Sequence, residues 1–93
     1  LEKVANSIKN TRGQITVEGH TDNVPIAFSE RFRTNWDLSA ARSAAVADYL
    51  LNNSELVAGR LTVTGFADTK PIDNNDTPSG RSKNRRIEIV IDD

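Results

Sequence analysis

The sequence predicts an α/β domain, a two-layer sandwich in which helices cover one face of a small mixed sheet with a parallel β-α-β core. Two stretches, around 15–19 and 60–66, alternate apolar and polar residues as half-buried strands do. A helical apolar pattern over 38–52 lies between them, so these strands should run parallel with a right-handed crossover. A third alternating stretch, 86–91, completes the sheet, and layers of this kind share one core.

Length and composition bound the chain to a single globular domain, residues 1–93. The 12 basic and 13 acidic residues give a net charge of -1, which argues against a nucleic-acid-binding protein. Cysteine is absent, which excludes disulfides, thiol catalysis and cysteine-based zinc sites. Methionine is absent even at position 1, so we expect a piece of a longer protein.

The first elements are a helix and a strand. Apolar residues at helical spacing predict a helix over 1–10. Ile15 and Val17 alternate with polar neighbours in the first strand, which should end at Gly19. Residues 20–37 then form a long polar loop.

The central helix over 38–52 is the clearest element. Asn35 or Asp37 can cap its start by accepting hydrogen bonds from the free N–H groups there. Its apolar stripe should consist of Leu38, Ala41, Ala45, Tyr49 and either Val46 or Leu50.

The last part of the chain predicts a loop, a short helix and a strand. Residues 67–79 are rich in Asp, Asn, Thr and Pro, as loops are. A helix over 78–84 should follow, with Thr77 as its cap and Pro78 at its first position.

A metal site is not expected from the sequence. The one histidine, His20, has no histidine or cysteine partner. The run 73–76 carries carboxylate and amide oxygens like a calcium loop, but such a loop needs Gly and Glu where Pro78 and Asn84 stand. We therefore expect no metal and no cofactor.

Catalysis has one candidate pair of carboxylates, Glu18 and Asp22. Four residues of extended chain span ~13 Å, whereas a glycosidase pair needs ~5–9.5 Å. A turn after Gly19 could shorten the separation, so a hydrolase stays an alternative, although no second feature supports an enzyme.

Basic residues between 81 and 86 could hold a nucleic acid together with Phe32 and Trp36. Acidic residues elsewhere cancel this charge, and a solvated or ion-paired face explains it better. We expect no nucleic-acid partner, and we expect Trp36 to pack at the entrance of the central helix.

Three motifs converge on one edge of the predicted sheet. Gly19-His20-Thr21-Asp22-Asn23 follows the first strand, Asn35-x-x-Leu38-Ser39-x-x-Arg42 opens the central helix, and Asn84-Arg85-Arg86 precedes the last strand. Open α/β sheets bind ligands at the carboxyl ends of their strands. Asp22 and the helix start should therefore be neighbours.

A cleft between Asp22 and Arg42 would suit a zwitterion. The Arg42 side chain can lean back over the first helical turn, so the two charges would flank one cleft. An ammonium group would bind Asp22, and a carboxylate would bind the guanidinium fork. The alternatives are that Asp22 caps its own turn, that Arg42 pairs with it or covers the core, and that Asn35 only caps the helix.

These motifs resemble the OmpA-like peptidoglycan-binding domain over nearly the whole chain. The matching pieces, in order, are Gly-His-Thr-Asp at 19–22, Asn35-x-x-Leu38-Ser39-x-x-Arg42, 46–50, Arg60-Leu61, 65–67, Pro71, Gly80-Arg81 and Asn84-Arg85-Arg86. Within that family, 21–26 and 34–42 are most similar to the periplasmic domain of MotB-type flagellar stator proteins.

The resemblance implies a non-enzymatic anchor that binds peptidoglycan through the diaminopimelate of its stem peptide. The site residues that it implies are Asp22, Arg42, Asn35, Asn23, Thr21 and Arg86, with Arg85 as the alternative to Arg86. It also implies a periplasmic homodimer whose parent chain is anchored in the inner membrane beside a channel-forming subunit. An outer-membrane porin or lipoprotein anchor, or a wall hydrolase, is the alternative.

Two departures from the family pattern accompany the resemblance. Val24 and Pro25 follow Asn23, where many members of the wider family have a glycine. The family's usual first strand, which precedes the leading helix, is missing from this chain. An exposed sheet edge is therefore expected, and such an edge can pair with another copy or with upstream residues.

Overall fold

The computed structural model describes residues 13–26, 31–53 and 56–92, so the helix predicted over 1–10 lies outside the described residues. The elements in chain order are β1 (Gln14–His20), α1 (Asn35–Asn53), a 3₁₀ turn (Ala58–Arg60), β2 (Leu61–Gly65), α2 (Pro78–Asn84) and β3 (Arg86–Asp92). Neither described helix is long and apolar enough to cross a membrane.

The three strands form one mixed sheet in the order β2-β1-β3. β1 runs parallel to β2, with Val17 opposite Val63. This is possible because α1 connects the end of β1 to the start of β2 at the other end of the sheet. β1 runs antiparallel to β3, with Val17 opposite Ile89. The predicted mixed α/β sheet with a parallel β-α-β core is confirmed.

The core lies between the sheet and α1. Ile15, Val17 and Leu50 are fully buried, and Ala47 is nearly so. The hydrophobic residues packed against this cluster are partly buried: Val46, Tyr49, Leu56, Leu61, Ile87, Ile89 and Ile91.

The buried face of α1 agrees with the predicted stripe at Leu50, Val46 and Tyr49 but differs from it elsewhere. Its most buried residues are Ser39, Ser43, Ala47 and Leu50, whereas Ala45 is exposed. The reason is the close approach of α1 to the sheet. A Cβ at Gly19 would lie 2.5 Å from the Ser43 hydroxyl oxygen, so only small residues fit on both sides of this contact.

The helix caps are one correction and one confirmation. Thr34, not Asn35 or Asp37, caps α1, because its hydroxyl oxygen accepts from the Asp37 N–H at 3.4 Å. Thr77 caps α2 as predicted, accepting from the Gly80 N–H at 3.0 Å.

Candidate functional site

Asp22 lies just beyond β1, and its nearly buried carboxylate accepts a hydrogen bond at each oxygen. Its Oδ1 accepts from the Val24 N–H at 3.0 Å, which closes a turn of the kind that aspartate favours. Its Oδ2 accepts from Arg85 Nη1 at 2.6 Å. The side chain is only 10% exposed, so little of this carboxylate faces solvent.

Asn35 connects this loop to the start of α1. Its amide group donates to the carbonyl oxygens of Asp22 at 3.3 Å and Val24 at 3.2 Å. The predicted proximity of Asp22 to the helix start is therefore confirmed. Asn35 acts by fixing the loop backbone, because Thr34 supplies the helix cap.

Thr21 fixes the same loop from the side of β2. It is 3% exposed, its hydroxyl donates to the Asp22 carbonyl at 2.8 Å, and its N–H donates to the Ala67 carbonyl at 2.8 Å. Ala67 has a φ of 53°, a left-handed conformation that costs energy for a residue with a Cβ. Its N–H donates to the Ser39 hydroxyl oxygen at 3.1 Å, so three elements meet behind Asp22.

Arg42 lies on the exposed side of α1 and makes no hydrogen bond or ion pair with the described residues. It follows Asn35 by seven residues, which places it on nearly the same helix face, ~10 Å further along the axis. The alternative in which Arg42 pairs with Asp22 is wrong, since Arg85 takes that role. A shared cleft between Asp22 and Arg42 stays a prediction.

The three side chains of the motif at 84–86 form hydrogen bonds with three different parts of the molecule. Asn84 is fully buried and binds the backbone of Ile72 and Asp73. Arg85 reaches Asp22, whereas Arg86 donates to Glu88 Oε2 at 2.6 Å.

Arg86 therefore does not touch Asp22 in this structure. Its other N–H groups donate to the carbonyls of Lys70 at 2.9 Å and Asn84 at 3.3 Å, and its side chain is 15% exposed. The alternation predicted over 86–91 could have indicated that Arg86 lies beside Glu88 and not beside Asp22. Arg86 shares a sheet face with Glu88, and Arg85 precedes the strand and is free of that constraint.

A pocket of about 280 Å³ opens beside this loop. Its wall includes Asn23 and Asn35 as well as Arg33, Asp68 and the indole of Trp36. Asp22, Arg42 and Arg85 are not among its lining residues, so it adjoins the ion pair rather than enclosing it.

Trp36 is 54% exposed, so the expectation that it packs at the entrance of the central helix is wrong. The central helix starts before residue 38, at Asn35, and this places Trp36 in the first turn, on the solvent side. Its ring is available to the pocket instead.

The sequence also suggests a catalytic pair, Glu18 and Asp22, and a calcium-like run at 73–76, and neither forms in the structure as a site around Asp22. Glu18 lies near His20 and not against Asp22, whose oxygens have other partners. In the run 73–76, the side chains stabilise their own turn. Hydrogen bonding from the Asn74 N–H, followed by the Lys83 ammonium group, lowers the pKa of Asp73 below its ordinary value.

The arrangement around Asp22 can hold a small group with both charges. Each carboxylate oxygen has one partner and retains a lone pair for an ammonium donor. Arg85 is 45% exposed and offers its outer N–H groups to a carboxylate, as does Arg42 from α1.

Comparison with known proteins gives a consistent result. The model of the OmpA family matches residues 1–85. Motility protein B of Bacillus subtilis is 43% identical over 82 residues, covering 88% of this chain and 31% of that protein. The peptidoglycan-binding protein ArfA of Mycobacterium tuberculosis is 42% identical over 93 residues, covering 98% of this chain and 26% of that protein. The chain thus spans about a third or less of these curated relatives.

Solved structures share the whole described fold. The cell wall anchor of the T6SS from Pseudomonas aeruginosa is 42% identical with a TM-score of 0.88, covering 97% of this chain and 62% of that one. The periplasmic domain of Helicobacter pylori MotB is 32% identical with a TM-score of 0.85, covering 95% and 56%.

Proposed function

The chain belongs to the OmpA family, and from this premise we propose that it binds peptidoglycan non-covalently through the diaminopimelate of the stem peptide. The observation that carries the proposal is the nearly buried carboxylate of Asp22, held at the end of β1 against Arg85. Diaminopimelate presents an ammonium and a carboxylate on one carbon, and that pair complements an acid beside two arginines.

In this proposal the residues divide into contacts and supports. Asp22 accepts from the ligand ammonium, and Arg42 and Arg85 donate to its carboxylate. Asn35 and Thr21 hold the loop backbone in place, as their hydrogen bonds to the Asp22 carbonyl favour. Asn23 lies on the exposed side of the loop, where it can contact the stem peptide. Arg86 supports the neighbouring loop through the Lys70 carbonyl.

For the parent protein we propose a role as the wall anchor of a flagellar motor stator. The similarity to motility protein B and to MotB periplasmic domains supports it. The chain would then act in the periplasm as a homodimer, in a parent held in the inner membrane beside a channel-forming subunit.

A second candidate is the wall anchor of another envelope machine or of an outer-membrane protein. The T6SS anchor matches this chain at 42% identity, higher than the MotB structure at 32%, and porin F of Pseudomonas aeruginosa is 37% identical. Deleting the parent gene separates the two: a stator loss leaves cells with flagella that do not turn, whereas loss of another anchor leaves swimming intact.

We propose that the chain is not a hydrolase. Asp22 is neutralised by Arg85 and its other oxygen closes a turn, so it is not poised as an acid or a base for a glycosidic bond. Relatives are named as binding and anchor proteins, which agrees with this. Release of soluble muropeptides from sacculi would contradict it.

The test is co-sedimentation with purified sacculi that contain diaminopimelate. The wild-type chain should pellet, whereas Asp22→Asn and Arg42→Ala should stay in the supernatant. Asp48→Asn is the matched control, since Asp48 is an exposed acid on the same helix as Arg42. Circular dichroism confirms that each variant is folded.

Sacculi with lysine in place of diaminopimelate test the ligand itself, because lysine lacks the second carboxylate. Binding to diaminopimelate sacculi alone supports the proposed recognition. Equal binding to both kinds of sacculi would refute recognition of diaminopimelate while keeping wall binding. No binding to either kind would refute the proposed function for this chain.

A further inference from the structure

The sheet face away from α1 carries a second cluster of chemically active side chains. Glu18 and Glu88 lie directly opposite each other on β1 and β3, and His20 lies two residues beyond Glu18 on the same face. His20 Nε2 is 3.6 Å from Glu18 Oε1 and 3.6 Å from Glu88 Oε2. One ligand atom from each of the three residues lies within 4.8 Å of the others.

His20 is buried without a hydrogen-bond partner. The residue is 2% exposed, and neither ring nitrogen forms a hydrogen bond among the described residues. Buried polar groups in folded proteins nearly always have a hydrogen-bond partner, so an unpartnered imidazole calls for an explanation such as a bound ion. The ring is fixed by stacking on Phe66, with centroids 5.2 Å apart and an angle of 17° between planes. Nε2 therefore stays aimed between the two carboxylates.

We propose that Glu18, His20 and Glu88 bind a divalent transition-metal ion such as Zn²⁺. His20 Nε2 is 3.6 Å from an oxygen of each carboxylate. With metal–ligand bonds of ~2.1 Å, the imidazole nitrogen and either oxygen would subtend about 120° at the metal, close to the angles of a four-coordinate site. Two carboxylates neutralise the ion, and a neutral imidazole suits zinc. Glu18 and Glu88 are 23% and 46% exposed, so the ion enters from solvent and a water fills the fourth position.

The sequence alone left His20 without metal-binding partners. β-sheet register supplies them, because antiparallel pairing brings Glu88 across from Glu18 although 70 positions separate them in the chain. The cluster is distinct from the proposed peptidoglycan site, because the hydrogen-bond partners of the Asp22 carboxylate among the described residues are Val24 and Arg85 and none of the three cluster residues.

Arg86 is the natural competitor of the metal. Its Nε donates to Glu88 Oε2 at 2.6 Å, the same oxygen that faces His20. The Lys70 ammonium group lies over the ring of Phe66, the residue on which His20 stacks, at 4.4 Å from its centroid. Metal binding therefore requires Glu88 to share or exchange this oxygen, and removing the guanidinium should strengthen binding.

The test is isothermal titration calorimetry of tag-free, EDTA-treated chain with Zn²⁺. We expect one ion per chain. Loss of even an outer partner of a metal ligand costs ~10–100-fold in affinity, so His20→Phe and Glu18→Gln should each weaken binding at least about 10-fold. Arg86→Gln should strengthen it. Phenylalanine preserves the stacking on Phe66, and Asp48→Asn is the acid control away from the cluster.

A second readout identifies the ligand atoms. Co²⁺ bound at this site should show the visible absorption of a four-coordinate ion, and His20→Phe should remove that band. If His20→Phe fails to fold, the double variant Glu18→Gln, Glu88→Gln takes its place. Absence of Zn²⁺ binding by the wild type, or binding that is unchanged in these variants, would overturn the proposal.

Discussion

At the scale of residues, single side chains decide how the site is built. Asn84 is fully buried and satisfies four partners: it accepts from two N–H groups and donates to the Asp73 carbonyl and the Asn75 side chain. Arg85, the next residue, lies at the end of α2 and is thereby aimed at Asp22. The ion pair at the candidate site thus depends on a structural asparagine next to it.

We predict that Asn84→Ala destabilises the fold by about 2–4 kcal/mol, because several polar groups of the 72–75 loop lose their partner at once. Urea unfolding followed by circular dichroism measures the change. Asn53→Ala is the matched control, since Asn53 is exposed and makes one hydrogen bond at the end of α1. Equal effects of the two substitutions would show that the buried network contributes nothing.

The residue scale also marks what the sequence could not decide. The sequence predicts that Asp22 and the start of α1 are neighbours, because both belong to motifs that border predicted elements, and the Asn35 hydrogen bond to the Asp22 carbonyl confirms it. The sequence names Arg86 with Arg85 as the alternative, whereas the structure pairs Arg85 with Asp22, because the outcome depends on where the strand begins and on which face each side chain leaves. The exposure of Trp36 escaped prediction for a similar reason, the start of α1 three residues earlier than expected.

At the scale of elements, the packing of α1 on the sheet is governed by small residues. Hydrophobic periodicity predicts the helix but starts it three residues late, and it misses Ser39 and Ser43 in the buried stripe because they do not score as apolar. They can be buried because both hydroxyls have acceptors, the Trp36 carbonyl one turn back for Ser39 and the Thr64 carbonyl on β2 for Ser43. Close helix–sheet contact at the glycine of β1 is a tertiary property that periodicity does not contain.

We predict that Gly19→Ala destabilises the fold by about 1–3 kcal/mol or more, since its Cβ would overlap the Ser39 backbone carbonyl and α1 would have to move. Thermal unfolding measures the loss. Gly59→Ala is the control, because nothing lies within 4 Å of its Cβ position and its φ is negative. That substitution should be neutral or stabilising by about 0.4–1 kcal/mol. Similar losses in both variants would contradict the close approach of α1.

We predict that Asp73, in the loop before α2, makes the stability of the fold depend on pH. Hydrogen bonding from the Asn74 N–H and then from the Lys83 ammonium lowers the folded-state pKa of Asp73 below its ordinary value of 3.8. Its contribution to stability is therefore present above its unfolded pKa and is lost as the pH falls through the lowered folded pKa.

Melting temperatures measured between pH 7 and pH 2 test this contribution. Asp73→Asn should lower the melting temperature at neutral pH, and the difference from wild type should shrink below about pH 4. Lys83→Met should show the same trend with a smaller amplitude, because the Asn74 hydrogen bond remains. A difference that is constant over the whole range would refute the assignment.

At the scale of the whole molecule, charge is arranged locally rather than in bulk. The net charge is only -1, so attraction to a polyanion is weak overall. The edge beyond β1 nevertheless joins Asp22 and Arg85 in an ion pair, and the sheet face away from α1 brings Glu18 and Glu88 together. In the proposed function, specificity for peptidoglycan would come from this local pattern of charge and not from the apolar core.

We therefore predict that sacculus binding falls steeply with salt while the fold does not respond. The Debye length shrinks from ~10 Å at 0.1 M salt to ~3 Å at 1 M, which screens charge pairs in an open cleft but leaves buried apolar contacts intact. The pelleted fraction of chain should drop across that range, and the melting temperature should change little. Charge-independent recognition, through the Trp36 pocket alone, would leave the pelleted fraction constant. Trp36→Ala measured at high salt distinguishes recognition by charge from recognition through the pocket. Any binding that persists at high salt and is lost in this variant would come from the pocket.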